Sequence, residues 1–354
     1  QVIHDCFDHQ GKLVPFAPRS VLRRVCDLFA AEGLQPIVAP ELEFYLTARN
    51  TDPNTLLRAP VGRSGRAETS RQAYSIDAVN EFDPLFEEIY DYCEKMELNV
   101  DTLIHEVGAG QMEINFFHNK PLGLADEVFF FKRTVREAAL RHDMYATFMA
   151  KPFEHSAGNG MHLHASMLDA SGKNAFASED PQGTPLLRHA IAGMQATIAD
   201  AFLIFAPNAN SYRRFKANSY APVAPTWGVN NRTVSFRVTA GPPASRHVEH
   251  RIGGADANPY LAMAAMLAGM CHGIEHKLDP GAPVVGNGYE AATTAPAMPT
   301  NWFAALDRFT ASDLMKDYLG ARFVEMYGIV KRTEQERFFA SVPDLDYAWY
   351  LRTA

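Results

Sequence analysis

Ala39-Pro-Glu-Leu-Glu-Phe-Tyr45 sets two carboxylates among residues that belong in a protein interior. On a strand, successive side chains alternate between faces, so Glu41 and Glu43 share one face while Leu42 and Phe44 take the other. Two like charges side by side repel; open solvent or a cation between them relieves this. Three further segments repeat the pattern. Glu106-Val-Gly-Ala-Gly-Gln-Met-Glu113 ends one strand on a carboxylate and carries a second beyond a Gly108-Ala-Gly110 turn, so a hairpin would bring Glu106 and Glu113 together. In Ala157-Gly-Asn-Gly-Met-His-Leu-His-Ala-Ser166, His162, His164 and Ser166 oppose Met161, Leu163 and Ala165, and the preceding glycines permit close backbone approach to a ligand. Ser245-Arg-His-Val-Glu-His-Arg-Ile252 places Glu249 and Arg251 on one face, which fits either an ion site beside an anion site or a ladder of cross-strand salt bridges.

Around these strands, 3.6-residue periodicity predicts helices near Arg19–Glu32, Phe82–Cys93, Leu122–His142, Pro185–Phe205, Asn258–His276, Asn301–Leu319 and Ala321–Ala340. Strands are expected at Pro36–Leu46, Val100–His105, Gln111–Phe117, Met144–Met149, Met161–Leu168, Thr233–Val238 and His247–Ile252. Ala48–Arg71 is polar, rich in arginine and broken by Pro53, Pro60, Gly62 and Gly65, so it reads as a long surface loop of the kind that often serves function. Hairpins interleaved with long helices predict an α+β fold. There is no P-loop signature and no strand–G-x-G-x-x-G–helix, which excludes the two commonest nucleotide motifs.

The 354 residues carry 33 Lys+Arg against 41 Asp+Glu, a formal charge of −8. An acidic chain is ill suited to nucleic acid, and no apolar run approaches the ~20 residues of a membrane span. Cys6, Cys26, Cys93 and Cys271 are far apart, as in a reduced cytoplasmic protein rather than a zinc cluster or disulfide framework. The chain opens with half a hairpin around Gly11, and residues 1–17 are expected to be a remnant of a separate N-terminal domain, with 18–354 forming the main one.

The strand carboxylates Glu41, Glu43, Glu106, Glu113 and Glu249 with the imidazole of His162 form a donor set that favours Mg²⁺ or Mn²⁺ over Zn²⁺, and six ligands suit two ions better than one. Arg213-Arg214, Arg232, Arg237 and Arg251 add planar forks suited to carboxylate and phosphate. Cations and arginines together imply a highly charged substrate, and phosphoryl transfer from a nucleotide fits.

Taken together the segments resemble the catalytic domain of the glutamine synthetase family. The resemblance is carried, in order along nearly the whole chain, by Pro40-Glu-Leu-Glu-Phe44, Glu106 to Glu113, Gly160-Met-His-Leu-His-Ala-Ser166, Asn210-Ser-Tyr-Arg-Arg214, Asn231-Arg232 and Glu249-His-Arg251 leading to Ala257-Asn-Pro-Tyr260. The long loop and Ser75-Ile-Asp-Ala-Val-Asn-Glu-Phe-Asp83 are most similar to the branch acting on amines such as putrescine, the γ-glutamylpolyamine synthetases. The resemblance implies a twisted antiparallel sheet flanked by helices, a small N-terminal β-grasp domain mostly missing here, and homo-oligomeric rings, a dodecamer, with active sites between neighbours. It implies ATP as co-substrate, two or three Mg²⁺ or Mn²⁺ ions, and ligation of the γ-carboxylate of L-glutamate to an amine through γ-glutamyl phosphate. It assigns Glu43, Glu106 and Glu113 to one metal and Glu41, His162 and Glu249 to another. Arg214, Arg232 and Arg251, with Gly158, match residues that hold glutamate or its phosphorylated form, and the three arginines also count as catalytic. His164, Ser166, Arg232 and Arg237 match nucleotide contacts, with Asp101 near the adenine or ribose.

The sequence departs from the family pattern at three side chains. Tyr220 replaces the flap glutamate that ammonia-using members carry before Ala-Pro-Val, and an aromatic suits an alkyl amine better. Ala157 stands where an asparagine often touches glutamate, and Ala244 near the position of a lysine that often contacts ATP. The sequence also admits two other readings: a glutamine synthetase using ammonia, and a non-catalytic member of the fold.

Overall fold

The computed structural model describes residues 2–353. In chain order it contains α1 (Pro18–Ala31), β1 (Gln35–Ala48), α2 (Ile76–Asn80), α3 (Asp83–Lys95), β2 (Val100–His105), β3 (Gln111–Phe116), α4 (Pro121–Arg141), β4 (Met144–Thr147), β5 (Met161–Leu168), α5 (Pro185–Phe205), β6 (Trp227–Val229), β7 (Phe236–Val238), β8 (Val248–His250), α6 (Pro259–Glu275), α7 (Trp302–Ala311), α8 (Asp313–Met315), α9 (Ala321–Phe339) and α10 (Asp344–Tyr350). One eight-stranded sheet runs β2-β3-β1-β5-β8-β7-β6, and β4 continues the β5 edge along the second half of β1.

Strand alternation divides the chain between core and site. Leu42, Phe44, Met112, Ile114, Met161, Leu163, Phe236, Val238 and Val248 are buried in a core with α1, α4, α5 and α6. His250 faces the same way, packed on the rings of Phe205 and Phe236, and burial pulls it down to about 3, so it is a neutral core histidine. The intervening residues point to the opposite face.

Helix ends follow their sequence signals. Thr184, Asn258 and Asn301 accept backbone N–H groups from Leu187, Leu261 and Ala304, and Pro18, Pro121, Pro185 and Pro259 occupy first-turn positions. α6 is apolar almost all round because it lies inside the helical layer. It crosses α5 at closest approach: a Cβ on Gly193 would sit 2.0 Å from the Gly269 carbonyl oxygen, so only glycine fits.

The sheet is mixed, not wholly antiparallel as expected. β6, a three-residue strand with no readable alternation, pairs parallel with β7. Asn230 adopts a left-handed φ of 47° and the Asn231 side chain accepts the Thr233 N–H, so the chain loops out and returns in the same direction. The expected helix over Asn301–Leu319 is broken at Ser312, whose hydroxyl accepts the Met315 N–H and starts α8; a π turn over Lys316–Gly320 then leads into α9. α10 lies beyond the last expected helix. The opening half-hairpin is a tight turn with one bridge, Phe7 to Leu13; Gln1 lies outside the described residues.

Candidate active site

The register places the charged residues next to one another. Glu41 pairs with Asn115 of β3 and His162 of β5, and Glu43 with Glu113. His164 pairs with Glu249, which pairs on its other side with Arg237. Directly paired residues in antiparallel strands share a face, so five strands deliver their polar side chains to one surface. Glu106 follows β2 immediately, and the Gly108-Ala-Gly110 turn folds it back beside the others.

The carboxylates separate by partner. Nδ1 of His162 lies 3.4 Å from Glu41 and 3.5 Å from Glu249, and Nε2 of His164 lies 2.9 Å from Glu41. Glu249, 1% exposed, also pairs with Arg237 at 2.6 Å and with Arg251. Burial pulls Glu41 and Glu249 upward, but these cationic neighbours outweigh it and hold both below the usual carboxylate range. Glu113 has no such partner. Burial, then Glu41, Glu43, Glu106 and Glu249, push it up to about 10. Burial and then Glu43 push Glu106 up to about 7, against the nearby Arg232.

Glu41, Glu113 and His162 offer ligand atoms within 4.8 Å of one another, and so do Glu41, His164 and Glu249. Glu43 lies outside both groups and accepts the Gly160 N–H at 2.7 Å; Glu106 is also outside. Oxygen-rich donors and buried carboxylates driven to hold protons fit hard divalent cations. This gives a signed pH effect. Between about 4.5 and about 10 the unfolded chain has Glu113 ionised while the fold keeps it protonated, so the ion-free protein loses stability as pH rises through that window. A cation displaces the proton and removes the penalty. Thermal stabilisation by Mg²⁺ is therefore expected to be larger at pH 8.5 than at pH 6, with proton release on binding. Melting curves at the two pH values check it, and equal shifts would refute it.

The arginines divide into fixed and free. Arg214 is buried, donating to the carbonyls of Ile252 at 2.8 Å and Arg251 at 3.2 Å. Arg251 is buried too, with a Nε–H that finds no partner in the fold, which leaves a donor for an anionic substrate. Arg232 is exposed at the rim. Gly158 is the floor: a Cβ there would lie 2.5 Å from the Ala150 carbonyl oxygen and 2.8 Å from Cγ of Arg214. Gly158→Ala is expected to displace Arg214 and weaken kcat/KM for an anionic substrate about tenfold or more in steady-state assays, with stability lowered by about 1–3 kcal/mol.

Beside the carboxylates opens a cavity of about 610 Å³ lined by Glu41, Asp101, Phe117, His164, Ser166 and His247. Arg237 is not among its lining residues; it is held on the neighbouring strand by its ion pair with Glu249. Tyr220, 63% exposed on the segment after Arg214 with a left-handed φ of 58°, lies outside this cavity, but its carbonyl accepts from Nη2 of Arg251 at 3.5 Å.

Sequence reasoning missed three contributors. Nε2 of His247 lies 2.9 Å from Nδ1 of His164 while its own Nδ1 lies 2.6 Å from the Ser245 carbonyl oxygen; two residues before Glu249, it is detectable by alternation. Asn115, two residues after Glu113, faces Glu41 in the same way. Asn159 ties its loop together, donating to the Met149 carbonyl and accepting from Gln111, and nothing in its local sequence marked it.

Residues 15–350 match the family model described as "Glutamine synthetase, catalytic domain". The chain is 38% identical over 357 residues to the γ-glutamylputrescine synthetase PuuA of Escherichia coli (strain K12), covering all of this chain and 75% of that protein. It is 35% identical over 347 residues to the γ-glutamylethanolamide synthetase GlnA4 of Streptomyces coelicolor, covering 97% and 72%. Among solved structures, GmaS without ligand superposes with a TM-score of 0.83 at 29% identity, over 97% of this chain and 78% of that one.

Proposed function

Because the chain belongs to the glutamine synthetase family, we propose that it uses ATP to join the γ-carboxylate of L-glutamate to an alkyl amine such as putrescine, through γ-glutamyl phosphate. The observation that carries this is the register that sets Glu41, Glu43, Glu113, His162 and Glu249 on one face of the sheet, with Arg251 paired to Glu249 beside them. A carboxylate is a poor electrophile until it is phosphorylated, and catalysis of phosphoryl transfer is mostly positioning and charge neutralisation. Two or three Mg²⁺ or Mn²⁺ ions, when bound, would neutralise the phosphates. Glu43, Glu106 and Glu113 are assigned to one and Glu41, His162 and Glu249 to another; His164, whose ligand atom lies within 4.8 Å of those of Glu41 and Glu249, is placed to join the second set beside its nucleotide contact.

Arg214 and Arg251 orient the glutamate carboxylates over Gly158. The cavity at Asp101, His164 and Ser166 takes the nucleotide, with Arg237 and Arg232 toward its phosphates. Tyr220 covers the amine and keeps water from the acyl phosphate. Support for an alkyl amine comes from this aromatic in place of a flap carboxylate, and from two relatives named for amines larger than ammonia.

The test is phosphate release with glutamate, ATP and a panel of amines. Putrescine or another alkyl amine should exceed ammonia in kcat/KM; the reverse order would replace this reading with an ordinary glutamine synthetase. We place the protein in the cytoplasm on its unpaired thiols. Assembly into rings is supported by the exposed Phe338, Phe339, Trp349 and Tyr350 near the C-terminus. Among the described residues, no helix is long and apolar enough to cross a membrane.

A further inference from the structure

Behind the arginine loop lies a second polar cavity, of about 260 Å³, between α4, the end of β4 and the two loops holding Asn208 and Asp256. Lys132 is buried in its wall and gives one hydrogen bond, to the Ala257 carbonyl at 3.2 Å. Its ammonium and the Arg136 guanidinium lie 5.4 and 4.9 Å from the centroid of the Phe148 ring. Across the cavity, Oδ2 of Asp256 accepts from Asn208 at 2.8 Å and Ser211 at 2.6 Å, while its buried Oδ1 accepts from nothing. Among the described residues, no carboxylate lies within ion-pair distance of Lys132 or Arg136, and no base within that distance of Asp256. Burial pushes Lys132 down to about 8 and Asp256 upward, and the attraction between the two across the cavity, with Arg214 also near Asp256, opposes this only in part. Buried charges of both signs with unused hydrogen-bonding capacity, facing one cavity, are costly unless something completes them.

What completes them must present acceptors to Lys132 and Arg136 and a donor to Asp256. The cavity is below the roughly 300 Å³ of the smallest drug-sized pockets, so the guest is small. We propose that it is a binding site for a free α-amino acid, its carboxylate against Lys132 and Arg136 and its ammonium on Oδ1 of Asp256. This site is separate from the sheet face and does not depend on the ligase reading. Ser211 joins the two, because its hydroxyl is held by Asp256 and its turn leads into Arg214.

Isothermal titration of the full chain with L-alanine, propionate and ethylamine tests the proposal without any activity readout. L-Alanine should bind one-to-one, and propionate and ethylamine, each offering half of the zwitterion, at least tenfold more weakly. Lys132→Met and Asp256→Asn should each weaken L-alanine at least tenfold. Arg136→Gln, at an exposed position that does not threaten folding, should do the same and decides the matter if the buried variants unfold. No binding of L-alanine, equal binding of propionate, or binding unchanged in Arg136→Gln would overturn it.

Discussion

Glu249→Gln is expected to abolish ligation and to destabilise the fold together. The carboxylate is almost wholly buried and faces Arg237, Arg251 and His162 at once. Removing one member of a buried ion cluster leaves the others uncompensated, at a cost of about 3–5 kcal/mol. The same change lets Arg251 swing from the position proposed to hold substrate and removes a proposed cation ligand, so kcat should fall by roughly a thousandfold or more. Urea unfolding and phosphate release at saturating substrates check the two halves. A variant that keeps both stability and turnover would show that Glu249 is only one rung of a salt-bridge ladder.

Tyr220→Glu should turn amine preference toward ammonia. Tyr220 is exposed and its carbonyl oxygen lies 3.5 Å from Nη2 of Arg251, so its backbone is tied to the site while its side chain is free to meet the second substrate. A carboxylate there would bind ammonium and remove the apolar face against which an alkyl chain packs. The ratio of kcat/KM for putrescine to that for ammonia is expected to fall about 10–100-fold, within the range that a change of pocket chemistry produces. Tyr220→Phe, which keeps the ring, should leave the ratio nearly unchanged. An unchanged ratio in Tyr220→Glu would remove this residue from the account of specificity.

What could be read beforehand was set by period. In Pro40–Phe44 and Met161–Ser166 alternation separates polar from apolar residues completely, and the structure divides them along that line. Neighbour order was not legible, because it is fixed by pairing between distant segments. That Glu41 lies between Asn115 and His162, or that Glu249 lies between His164 and Arg237, follows only from register. β6 was missed for want of length, since Trp227-Gly-Val229 is too short to show alternation. His247 shares its strand with Glu249 and Arg251, and nothing in the local sequence shows that it meets His164 across the sheet. The cavity behind Arg214 draws on α4, β4 and two loops, so no single stretch of sequence announces it.

The sharing of β1, β3, β5 and β8 between chemistry and core limits how such a protein can diversify. Inserting or deleting one residue in any of them would turn acids inward and leucines outward along the rest of the strand. Drift in these segments is thus confined to like-for-like exchange. New amine preferences have to arise where no strand is in register, in segments such as 49–75 and 215–224 that contribute no strand to the sheet. A lineage built this way keeps its reaction and trades its acceptors.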